Sequence, residues 1–169
     1  MNVQLRYWQE FLDLKRDARY IDLYQARTEN IERTIGAFTA ITSSSSIAAW
    51  VIWRDLSFVW ALVIAGSQAL SAVKEYLPYK KRLRALAALS PELNALSIAA
   101  ENDWFEVSRG ILDEQQIHSL QMKLKKKKQE LVHKNFAQYS LPDYKRLLQR
   151  ADADTVEYVG SYFFGAQDD

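Results

Sequence analysis

Two uncharged stretches lie almost back to back in this chain and limit what it can fold into. Residues 34–53 carry no charged side chain, residues 56–73 carry none either, and only Arg54 and Asp55 separate them. An α-helix rises about 1.5 Å per residue, so about 20 residues cover a hydrocarbon core of about 30 Å. Each stretch is close to that length. A link as short as Arg54-Asp55-Leu56-Ser57 permits only an antiparallel pair of helices. The chain therefore reads as an all-α, two-pass membrane protein with a transmembrane hairpin over residues 34–77, its spans at 34–53 and 56–74. A helix over 1–33 precedes the hairpin, and a C-terminal helical stalk or bundle over 78–169 follows it.

Composition fits that layout. The 169 residues include 22 basic and 21 acidic side chains, all outside the two stretches, for a net charge of +1. Two apolar segments thus coexist with a mean hydropathy of −0.28. So small a net charge exerts no global pull on nucleic acid, and none is expected as a partner. Cysteine is absent, which excludes disulfides, thiolate catalysis and cysteine-based metal sites. His118 and His133 lie too far apart on one helix to share a ligand, so no metal or cofactor is expected. The N-terminus lacks a basic segment followed by an apolar one, unlike a cleaved signal peptide.

The flanks set an orientation. Trp50, Trp53 and Trp60 surround the hairpin turn, and Tyr76 and Tyr79 lie at the opposite end, as in aromatic belts at two membrane interfaces. Arg27 and Arg33 precede the first span; Lys80, Lys81, Arg82 and Arg84 follow the second. The positive-inside rule then places both termini in the cytoplasm and the turn outside.

The first span is polar for a membrane segment. At 100° per residue Thr39, Thr42, Ser43 and Ser46 share one face; in the second span Ser67 and Ser71 fall together with Gln68 beside them. Small hydroxyl residues let helices approach closely and share hydrogen bonds, and they can also bond their own backbone one turn back. The same residues could instead line a pore in an oligomer. A third reading makes the two stretches the central helices of a water-soluble bundle.

Outside the hairpin the pattern is amphipathic helix. On the first helix Leu5, Trp8, Leu12, Lys15, Arg19, Leu23, Ala26 and Ile31 follow helical spacing. Leu83, Leu86, Ser90, Leu93, Leu96, Ala100, Trp104 and Val107 form a near-heptad seam, predicted to pack on residues 1–33. Ser90-Pro91-Glu92 matches a capped helix restart, and Gly110 ends the segment. Asp113 and Gln116 form a capping box for a helix buried through Ile117, Leu120, Leu124 and Leu131. Lys125 to Lys128 point round all sides of that helix, as solvated charge does. Asp143 is expected to cap a last helix carrying Tyr144, Leu147, Leu148, Ala151, Val156, Val159 and Phe163. Glu101, Asp103 and Glu106 surround Trp104 without a paired histidine, and no nucleophile elbow or phosphate loop appears, so no enzyme is expected.

The order Tyr20-Ile21-Asp22-Leu23-Tyr24, Arg27-Thr28, Thr42-Ser43-Ser44-Ser45-Ser46-Ile47-Ala48-Ala49-Trp50, Trp60, Ser67-Gln68, Leu77-Pro78-Tyr79 and Arg82, with a helical tail containing Glu101 and Trp104, resembles the SLATT group of bacterial two-transmembrane proteins. The likeness covers roughly residues 15–140. It implies an oligomeric effector of a conflict or antiviral system in the bacterial inner membrane. Such an effector forms pores or otherwise damages the membrane when a separately encoded partner, often a nucleotide-signalling enzyme, triggers it. A different class also fits the residues: a membrane-anchored scaffold whose stalk seam recruits a cytosolic protein.

Overall fold

A computed structural model describes residues 2–52, 57–76, 79–136 and 141–164, with side chains within these ranges except at 41–52, 57, 60, 70–71, 73–76, 79–80 and 164. The described residues form five α-helices and no strand: α1 Val3–Ile52, α2 Ser57–Tyr76, α3 Tyr79–Ser108, α4 Glu114–Phe136 and α5 Lys145–Phe164. The all-α expectation holds. The chain divides into two compact units, Met1–Gln25 with Arg84–Asp169, and Ala26–Leu83.

In the first unit the core joins α1 to α3, α4 and α5. Tyr7, Phe11, Leu14, Ala18 and Ile21 of α1 are buried together with Leu86, Leu89, Leu93, Ala100 and Val107 of α3. Steps of four and three on both helices bring one residue per half-heptad to the seam. Each fully buried leucine contributes about 1.5–3 kcal/mol. Ile117, Leu124, Leu131 and Phe136 of α4 and Ala151 of α5 close the same core.

Three details differ from the sequence reading. On α1 the buried line runs through Tyr7, Phe11 and Leu14, whereas Leu5 is exposed and Arg19 pairs at the surface with Asp154 at 2.6 Å. Trp8, Leu12 and Leu23 of the expected line are half-buried and pack against the edge of that core. The restart at Ser90-Pro91 does not occur: α3 runs unbroken through Pro91. Proline removes the donor to the carbonyl four residues back, here Ala87, but both residues are exposed, so water can take that donor's place. Ser90, instead of capping, donates its hydroxyl to Asp22 Oδ1. On α5, the first helical carbonyl belongs to Tyr144, which accepts from the Leu147 and Leu148 amides. The helix thus begins at Lys145, one residue later than a cap at Asp143 would give; Val156 is exposed, and Phe163 lies edge-on against Trp8 at 5.6 Å.

Other local features follow the sequence. Asp113 Oδ1 accepts from the Gln116 amide at 2.8 Å while Gln116 Oε1 accepts from the Asp113 amide at 2.9 Å, a reciprocal capping box. Gly110 ends α3 in the left-handed region, φ 68°, donating to the Val107 carbonyl at 3.2 Å, a conformation that glycine adopts without the strain of a Cβ. Half of the lysine run is engaged: Lys125 pairs with Glu10 at 3.0 Å and Lys128 with Asp17, while Lys126 and Lys127 are exposed.

Candidate functional site

The second unit holds the uncharged stretches, and both are helical where described: α1 carries the first to Ile52 and α2 carries the second from Ser57. α2 is apolar nearly all round. Phe58, Val59, Leu62 and Ile64 are exposed by 76%, 50%, 58% and 40%, and Ala61, Ala65, Gly66 and Ala69 are exposed with them. The half-covered positions among its described side chains are Val63 and Ser67, one turn apart. A helix apolar on every side belongs in a core, at an interface or in a bilayer, because water penalises each uncovered aliphatic group. Among the described residues, however, no helix is long and apolar enough to cross a membrane.

The polar stripe is described in part. Thr39 is half-covered, on a line with Ile35, and donates its hydroxyl to the Ile35 carbonyl at 2.7 Å. Ser67 does the same to the Ile64 carbonyl at 2.8 Å. Such bonds satisfy the hydroxyl without water. Gln68 is exposed on α2 among alanine and leucine. Thr42, Ser43, Ser46 and Ser71 lie outside the described side chains, as do the belt residues Trp50, Trp53, Trp60, Tyr76 and Tyr79 and the flanking Lys80. Of the remaining flank, Lys81 and Arg84 are exposed and Arg82 is half-buried.

In the first unit two of the three acidic residues around Trp104, Glu101 and Asp103, are engaged within the fold, and Glu106 is exposed. Glu101 accepts from the Tyr158 hydroxyl at 2.7 Å and pairs with Lys15 at 3.3 Å. The Lys15 ammonium also lies 3.2 Å from the centroid of the Tyr158 ring, a cation–π contact. Tyr7, fully buried, donates to the Ala100 carbonyl at 3.2 Å and approaches Asp103 at 3.5 Å. Burial first, and then the adjacent Asp103 or Glu101 carboxylate, raises the Tyr7 and Tyr158 phenols well above the usual tyrosine value. Trp8 and Trp104 stand 4.7 Å apart in the aromatic cluster that these residues edge. Tyr20, missed as a latch from sequence, donates to the Pro142 carbonyl and accepts from the Tyr144 amide, fastening the segment before α5 to α1. His118 and His133 are exposed, and no group of three or more candidate metal ligands occurs among the described residues.

No protein-family model matches this chain, and no curated protein or solved structure is similar to it.

Proposed function

We propose that this chain is a two-pass membrane protein whose hairpin assembles into an oligomer and damages or permeabilises the membrane that holds it. One observation carries the reading: α2 exposes apolar side chains on almost every side, in a stretch without charge from residue 56 to residue 73. In a bilayer that surface meets hydrocarbon and needs no further cover. The lysines and arginines at 80–84 favour a cytoplasmic location for the tail, and with it both termini. The resemblance to the SLATT group supports the effector role, with a separately encoded protein or nucleotide signal as the trigger and the helical tail as its receiver.

Gln68 argues for assembly. An exposed amide in hydrocarbon leaves its donors and acceptor unmet, at a cost of several kcal/mol per bare polar group. A second copy, or a water-filled conduit between copies, removes that penalty. Thr39 and Ser67, already satisfied by their own backbones, fit the packing seam of the hairpin. Replacing Gln68 with Leu should leave insertion intact while abolishing dye release from vesicles that contain the protein. Unchanged dye release from that variant would remove the conduit.

The scaffold reading keeps one observation in its favour. Residues 1–25 and 84–169 bury a core of their own, as a recruiting domain would. It requires that an unrelated hairpin can replace residues 34–73 without loss of function.

A further inference from the structure

In the first unit α4 and α5 flank α1 from opposite sides. Glu10 and Asp17 of α1 reach α4, through Lys125 at 3.0 Å and through Lys128. Trp8 and Arg19 reach α5, through Phe163 at 5.6 Å and Asp154 at 2.6 Å. At about 100° per residue Glu10 lies half a turn from Arg19, and Trp8 half a turn from Asp17. The outer face of α4 and the groove that α1, α3 and α5 enclose therefore open on opposite sides of the unit.

The two faces are complementary. On α4, Met122 is 51% exposed, with Lys126 one turn on and Lys123 beside it. Neither lysine forms an ion pair among the described residues. The groove measures about 540 Å³; Ile98, 70% exposed, lines it with Glu101 on one wall and Glu157 on the other. Its cations are already matched, Lys15 with Glu101 at 3.3 Å and Arg19 with Asp154. Glu157 forms no ion pair among the described residues, and Asp22 at the groove's end is held by the neutral Ser90 and Asn94. One face is thus left positive and the other negative, each around an uncovered apolar side chain.

The faces also stand at one level along the helices, with α1 as the common ruler. Lys125 reaches Glu10, and the Tyr158 ring lies 6.3 Å from that of Phe11. Lys126 follows Lys125 and Glu157 precedes Tyr158, so each lies within about one turn, 5.4 Å, of the level of Phe11. Met122 sits one turn back, at the level of Tyr7, whose hydroxyl reaches Ala100 and Asp103. That level falls between Ile98 and the exposed Phe105 on the outer side of α3.

We propose that these faces join copies of this chain. α4 of one copy packs against the α3–α5 groove of the next, with Lys126 at Glu157 and Met122 between Ile98 and Phe105. Rotation about an axis along the helices preserves the levels, and two unlike faces give a heterologous contact that repeats round a ring where the rotation closes. Opposite charges then set the register between neighbours. The inference rests on the assembly proposed above and names the surface that performs it. Both faces belong to the unit formed by residues 1–25 and 84–169, so the contact needs no part of the hairpin.

The test is cross-linking in membranes from cells expressing the full chain. The chain has no cysteine, so introduced ones report alone. Met122→Cys is combined with Asn102→Cys, an exposed position between Ile98 and Phe105, and treated with a short bis-maleimide. A ladder of dimer, trimer and larger species is expected from the double variant and none from either single variant, because neither position meets its own copy. Adding Lys126→Glu should cut the ladder yield about tenfold or more, since like charges then face each other, and adding Glu157→Lys as well should restore it. Cross-linking of a single variant would overturn the proposal in favour of a two-fold contact. A ladder indifferent to Lys126→Glu, or not restored by the paired reversal, would overturn it too. Several subunits by mass in detergent with no ladder would remove this interface and leave the assembly standing, whereas a monomer's mass would remove both. The ladder can be read equally on chain outside the membrane, so failed insertion is not mistaken for a failed interface.

Discussion

Tyr7→Phe isolates one hydroxyl in the centre of the first unit. The ring remains, so the packing against α3 and the stacked contact with Trp104 at 6.4 Å are kept. What is lost is the bond to the Ala100 carbonyl and the weaker approach to Asp103. Ala100 sits inside α3, where its carbonyl also accepts from the helix itself, so deletion leaves no orphaned acceptor. The cost at neutral pH is therefore about 1 kcal/mol, the net worth of an ordinary hydrogen bond. Alkaline pH gives the sharper readout. The folded state raises the Tyr7 phenol, first by burial and then by Asp103. Stability from a raised group is complete below its unfolded value, about pH 10 for tyrosine. It is then lost as pH climbs toward the folded value, at up to about 1.4 kcal/mol per pH unit for each such tyrosine. The assay is thermal unfolding of the detergent-solubilised chain by circular dichroism, between neutral pH and above pH ~10. Wild type should lose stability more steeply than Tyr7→Phe over the alkaline range, and the double variant with Tyr158→Phe should be flatter still. Parallel alkaline slopes for wild type and both variants would refute the assignment of these phenols.

Leu93→Ala removes a fully enclosed side chain from the seam between α1 and α3, so a loss of about 2–5 kcal/mol is expected in denaturant unfolding. Gly110→Ala meets no atom within 4 Å but must adopt φ 68°; about 1–2 kcal/mol of backbone strain follows, and Gly110→Asn should recover part of it. Leu62→Lys places a charge in the middle of the apolar face of α2. It should shift the chain out of the membrane fraction, since a central lysine costs about 2.5–3.5 kcal/mol on insertion.

Features set by local chemistry were legible in the sequence. The capping box at Asp113 and Gln116 needs only spacing and side-chain type, and it formed as read. The α3 seam was visible because leucine and alanine repeat there at heptad steps, with Leu89 and Ser97 the buried residues passed over. Ser97 escaped attention because a serine among alanines reads as a small polar surface residue, whereas the fold leaves it 6% exposed. The α1 seam was legible in part: Trp8, Leu12 and Leu23 pack at the edge of the core, while Tyr7, Phe11 and Leu14 take its centre and Leu5 is left exposed. Pro91 illustrates the opposite case, a strong local break signal overruled because the residue lies on the exposed side of a well-packed helix. Of the polar stripe, Thr39 and Ser67 behave as hydroxyls sheltered by their own backbones, an arrangement that sequence allows but does not select.

The proposed function requires that residues 34–73 lie in a bilayer. Alkaline carbonate extraction of membranes from cells expressing the full chain tests it most directly, followed by mass determination after detergent solubilisation. Retention in the membrane pellet, with the mass of several subunits, is the expected result. Release into the supernatant would contradict it, and the apolar surface of α2 would then have to be covered by protein.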